Sequence, residues 1–105
     1  MSENPKSNIF TIFIISDGTG ETAATMIRAA LVQYSEKEIN IQRCKNIRSE
    51  EQVKTVIDEC FDKRGMVAYT FASPSLRTKT SELCIEKSIP AVDFLGPLIQ
   101  TLDHF

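Results

Sequence analysis

Seven polar residues interrupt an otherwise apolar stretch near the start of the chain: Ser16, Asp17, Gly18, Thr19, Gly20, Glu21 and Thr22. An apolar run, Ile9 to Ile15, stops at Ser16, and a helical pattern begins near Thr22. Two glycines allow positive φ or close backbone approach, and the unpaired N–H groups of a helix start favour a phosphate or carboxylate. Thr19 and Thr22 add hydroxyl donors. Asp17 and Glu21 oppose this by bringing negative charge, so a bare phosphate would need a cation or an arginine such as Arg48 close by. A plainer reading also fits: Asp17-Gly18 makes a turn, and Thr19 or Thr22 caps the helix. The dinucleotide fingerprint GxGxxG is not met, because Ala23 stands at its third glycine, and GxxxxGK[ST] occurs nowhere in the chain.

Other residues offer less. His104 is the only histidine and reads as a solvated group rather than a general base. No GxSxG elbow presents a nucleophilic serine. Asp93, Arg48 and Ser73 lie near strand ends or helix starts and are candidates to support a ligand; Arg77 shares that placement. Cys44, Cys60 and Cys84 are widely spaced with no CxxC pair, so they read as buried free thiols, and no metal-ligand set is expected.

These residues need a scaffold, and the hydrophobic periods describe one. Ile9 to Ile15 is the near-continuous run of a strand covered on both faces. Ala23, Ile27, Ala30, Leu31 and Tyr34 recur at helical spacing. Ile39 to Cys44 alternates, as in a strand nearer a sheet edge. Ser49-Glu-Glu-Gln52 is a capping box before a helix with a buried stripe at Val53, Val56, Ile57, Cys60 and Phe61, ended by Gly65. Met66 to Phe71 is a third strand. Ser73-Pro74 opens a third helix through Leu76, Thr80, Leu83 and Cys84. Ile89 to Phe94 is a fourth strand, and Gly96-Pro97 starts a last helix through Leu98, Ile99 and Leu102. This alternation predicts an α/β fold, a three-layer Rossmann/flavodoxin-like arrangement with parallel strands in the order 2-1-3-4 and helices on both faces. Ligands then bind beyond the strands' carboxyl ends, at the switch point between strands 1 and 3, where the polar island lies.

The 105 residues suffice for one domain, read as residues 8–105 behind a disordered tail at 1–7. Twelve Lys+Arg against fourteen Asp+Glu give no basic field for nucleic acid. No apolar run approaches the ~20 residues of a membrane span, and MSENPKSN has no signal-peptide core. A cytoplasmic protein is expected.

SDGTGETA directly after an apolar strand, with IRAAL following, resembles the pyruvate, phosphate dikinase regulatory protein family, which includes regulators of phosphoenolpyruvate synthase. The resemblance continues through IRSEEQV at 47–53, VAYTFASPSLR at 67–77 and IPAVDFLGPLI at 89–99. It implies a bifunctional serine/threonine kinase and phosphorylase. With ADP such a protein phosphorylates a threonine of the dikinase or synthase and inactivates it. With inorganic phosphate it removes that group and releases pyrophosphate. The family's nucleotide-binding P-loop lies in a carboxyl-terminal domain with no counterpart in these residues. The resemblance therefore implies an amino-terminal domain that is inactive alone and binds no cofactor of its own. Two other readings stand beside it: a non-catalytic interaction or homodimerisation domain, and a flavodoxin-like FMN-binding protein, since the polar island resembles a flavodoxin phosphate loop.

Overall fold

A computed structural model describes residues 9–34 and 38–105, so the expected tail at 1–7 lies outside the described residues. The chain alternates strictly: β1 (Ile9–Ser16), α1 (Glu21–Leu31), a 3-10 turn (Val32–Tyr34), β2 (Glu38–Cys44), α2 (Glu50–Asp62), β3 (Met66–Thr70), α3 (Pro74–Glu86), β4 (Ala91–Asp93) and α4 (Gly96–His104). The four strands form one sheet in the order β2-β1-β3-β4, all parallel, as the periods predict. At the carboxyl edge Ile15 pairs with both Cys44 and Tyr69, Ser16 with Thr70, and Tyr69 with Asp93, so the loops after the strands share one rim.

β1 is apolar on both faces because both are covered. Phe13 and Ile15 pack with Val53, Ile57 and Cys60 of α2 and with Leu76, Leu83 and Cys84 of α3. Ile12 and Ile14 pack on the opposite face with Ala23, Ala24 and Ile27 of α1. The capping box of α2 is complete: Ser49 Oγ accepts from Gln52 N at 3.1 Å, and Gln52 Oε1 accepts from Ser49 N at 3.1 Å. Ser73 caps α3, with Pro74 at the first turn and Leu76 N donating to Ser73 Oγ at 3.4 Å.

Packing corrects several details. Phe61 is half exposed rather than buried, with the Lys87 ammonium 5.1 Å above its ring. At ~100° per residue it falls just outside the arc spanned by Val53, Val56, Ile57 and Cys60. Ala24 is buried in α1, whereas Ala30 and Tyr34 are exposed. Gly65 is not the left-handed terminator of α2; Arg64 takes that conformation, with φ 55°. Glycine is required at 65 for space, since a Cβ there would stand 2.7 Å from the Thr11 carbonyl oxygen. Cys44 is only half-buried, because edge strand β2 has a neighbour on one side alone. In α4, Leu98 and Leu102 face outward, and Gly96 is its one buried residue. No helix among the described residues is long and apolar enough to cross a membrane.

Candidate functional site

The site begins where β1 ends. Ser16 is buried, and its Oγ accepts from Gly18 N at 3.0 Å, bending the chain off the sheet. Gly20 then takes φ 76°, and a Cβ there would meet Ile14 Cγ2 at 3.0 Å. Both the angle and the space call for glycine. Gly18 is different: its φ is ordinary, and the nearest atom to an added Cβ is Ser16 Oγ at 3.8 Å.

Gly20 is also the N-cap of α1, and no side chain caps that helix. Thr19 Oγ1 accepts from Glu21 N, the first amide of the helix, at 3.3 Å, a long bond. The opening amides of α1 sum to a partial positive charge at the rim, and the glycine N-cap brings no side chain of its own to accept from them.

Neighbouring loops hold this turn in place. Asn46 N donates to Gly18 O and Ile47 N to Ser16 O, each at 2.9 Å. Arg43 Nη1 donates to Thr19 O at 3.3 Å. From the other side, Asp17 Oδ2 accepts from Ala72 N at 3.2 Å. Asp17 thus joins the β1–α1 loop to the β3–α3 loop, a structural reason for a carboxylate in this turn. The basic side chain that reaches the loop is Arg43, not Arg48. Arg48 is exposed, and its backbone N–H donates to Gln52 Oε1 at 2.6 Å, which ties it to the α2 cap.

Between α1 and the β4–α4 corner lies a crevice of about 450 Å³. Ser16, Asp17, Gly18, Thr19, Gly20 and Thr22 all line it, together with Glu21. Met26 of α1 and Thr70 at the end of β3 line it as well, and Phe94, Leu95 and Leu98 of the β4–α4 corner form its other wall. Hydroxyls and helix amides therefore face apolar side chains across a cleft at the switch point between β1 and β3, the usual ligand position in such sheets. The sequence reading missed these further lining residues. Thr70 was findable, because it pairs with Ser16 at the strand ends. Met26 and Leu98 carry no local signal, since only the fold shows which helix faces look into the cleft.

The supporting candidates fall elsewhere. Ser73 Oγ is occupied by Leu76 N and lies 3.0 Å from Ser75 Oγ. Asp93 Oδ1 accepts from Leu95 N at 3.1 Å and Gly96 N at 2.7 Å, so it caps the start of α4. Asp93 lines a separate crevice of about 280 Å³ with Tyr69, Arg77 and Ser81. Arg77 Nη1 donates to Phe71 O at 3.1 Å and Ala72 O at 2.9 Å, fastening the β3–α3 loop. Tyr34 and Tyr69 do not line the crevice beside the polar loop; Phe94 is the aromatic residue that does.

The thiols stand apart from this chemistry. Burial pushes Cys60 and Cys84 up to about 11. Cys44 is also raised, by burial first and then by the Glu59 charge. Nucleophilic thiolates are therefore suppressed at neutral pH. Tyr69 is raised by burial and, secondarily, by Asp93.

Known proteins match the chain along nearly all of its length. A protein from Bdellovibrio bacteriovorus named "Putative pyruvate, phosphate dikinase regulatory protein" is 62% identical over 96 residues, which is 91% of this chain and 34% of that protein. Proteins of the same name from Pelobacter propionicus and Sorangium cellulosum are 42% and 35% identical over 94 residues, in each case 90% of this chain and 34% of the relative. The chain thus spans about a third of the length of the curated relatives it matches. The sequence model of the kinase/pyrophosphorylase family matches residues 12–105, which include the loop, the crevice and all but the first three residues of the sheet's central strand, and the chain belongs to that family.

Proposed function

We propose that this chain is the amino-terminal domain of a cytoplasmic regulator of pyruvate, phosphate dikinase or phosphoenolpyruvate synthase. In the whole protein, ADP supplies the phosphoryl group placed on a target threonine, which switches the target off. Inorganic phosphate takes that group back as pyrophosphate, which switches it on. The family assignment and the names of the relatives support this reading.

The crevice is this domain's contribution, and one observation carries that assignment. The turn from Ser16 to Thr22 starts α1 on a glycine N-cap, with only the long Thr19 bond to Glu21 N described there, while forming one wall of the cleft. Thr19 and Thr22 hydroxyls, with the first amides of α1, receive a phosphoryl oxygen of a ligand or of the phosphorylated target. Met26, Phe94 and Leu98 hold the apolar part of what enters. Phosphoryl transfer needs a phosphate cradle with a lysine and metal ligands. No P-loop is encoded in these residues, so the 105-residue chain transfers no phosphate alone.

Phosphate titration of the isotope-labelled chain tests the site. Amide shifts confined to residues 19–23 with millimolar affinity are expected, because so open a site makes few contacts. Thr22→Val should weaken those shifts, and in a full-length family member it should slow both phosphorylation and phosphorolysis of the target. Unchanged amides at 100 mM phosphate together with full activity of that variant would reduce the loop to a turn.

A further inference from the structure

The β4–α4 corner is finished on one side only. β4 pairs with β3, and no other strand among the described residues pairs with its outer edge. The opposite edge strand, β2, places Glu38, Asn40, Gln42 and Arg43 among its apolar residues, a composition that resists further pairing. β4 offers Ala91 and Val92, both exposed. Beside it, α4 carries Leu98 and Leu102 at helical spacing, 54% and 60% exposed, with Phe105 at its C-cap. The helix is fastened through its first turn, by Asp93 and the buried Gly96. Phe61, exposed on α2, is by contrast covered by the Lys87 ammonium.

An uncovered strand edge beside an uncovered helix stripe is half of a βαβ unit. A parallel strand paired with the open edge of β4 would complete that unit through a right-handed crossover, and the α4 stripe would lie against it. The matched curated relatives are about three times as long as the part shared with this chain, so family members hold ample polypeptide to supply such a strand. We infer that the β4 edge and the Leu98–Leu102 stripe dock additional polypeptide of the same family member, as a fifth parallel strand beyond β4. Leu98 also lines the main crevice, so the docked segment would stand at the mouth of that cleft. The inference rests on the fold and on the relatives' length, not on the proposed chemistry of the crevice.

Hydrogen exchange on two proteins tests it: the 105-residue chain, and the full-length Bdellovibrio bacteriovorus relative. After correction for intrinsic rates, the relative's segment matching residues 96–105 should exchange at least tenfold more slowly than the same segment here. Aspartate at the positions matching Leu98 and Leu102 should remove that protection in the relative. Leu98→Asp/Leu102→Asp in the 105-residue chain should leave its melting temperature within about 2 °C. Equal exchange in the two proteins would overturn the inference. So would self-association of the 105-residue chain that Leu102→Asp abolishes, because the face would then belong to a second copy. Threonine phosphorylation of the target is not read in this experiment, so its outcome is separate from that of the functional proposal.

Discussion

Helices α1 and α2 start on the same rim of the sheet and treat their first amides in opposite ways. At α2, Ser49 and Gln52 exchange hydrogen bonds, and the Gln52 amide oxygen also accepts from Arg48 N, so the cap is satisfied internally. At α1 the N-cap is a left-handed glycine, and the side-chain contact described at the helix start is the long 3.3 Å bond from Glu21 N to Thr19 Oγ1. A closed cap adds stability and leaves little for a ligand; an open one at glycine gives up only about a few tenths of a kcal/mol of helix stability and keeps its donors available. The open cap lies at the strand-order switch, beside the cleft of about 450 Å³ that the loop lines.

The largest expected effect separates the two layers rather than the two caps. Cys60 and Cys84 sit in the α2–α3 layer, and burial holds both near 11, above an unfolded thiol at about 9. A pKa raised on folding contributes stability below the unfolded value and loses it as pH rises through the folded one. Stability should therefore fall between pH about 9 and 11, by a few kcal/mol on an order-of-magnitude scale. Urea midpoints across that range check it, and Cys60→Ala/Cys84→Ala should flatten the decline. Ile57→Ala, in the same layer, should cost about 2–4 kcal/mol, because a fully buried side chain leaves a cavity. An unchanged midpoint would place the α2 stripe on the wrong face.

The caps themselves come next. Gly20→Val forces a β-branched residue to positive φ against Ile14, and should cost roughly 2–3 kcal/mol. It therefore tests the fold as well as the site, and Thr22→Val is the cleaner probe of binding. Ser49→Ala should cost about 1 kcal/mol in thermal or urea melts through loss of the closed cap. Thr22→Val, on an exposed first turn, should change stability by less than about 0.5 kcal/mol. A larger loss would show that α1 depends on that hydroxyl, and the contrast between the two caps would then weaken.

Much of this was legible in the residues. Strand order followed from β1 being apolar on both faces and β2 alternating, and the closed cap of α2 is written locally in Ser49 and Gln52. The polar island marked its own position. What escaped were relations across the chain. Asp17 meets an amide 55 residues away, and nothing near either residue encodes that bond. Arg48 and Arg43 look equally suited to reach the loop, and only the register of β2 on β1 brings Arg43 to it. The apolar spacing of α4 announces a stripe; whether anything covers it depends on neighbours the spacing does not specify.

The central place of β1 has a consequence for synthesis. The strand emerges first, yet one of its two partners ends at Thr70, paired with Ser16. At about 5–20 residues per second, roughly 3–11 s pass between translation of those two residues. During that interval β1 lacks both partner strands until Cys44 is made and one of them until Thr70 is made, and its pairing with β3 must close a long loop. The nascent chain is most exposed to aggregation in that window, and a chaperone acting on this protein would find its binding segment in Ile9 to Ile15.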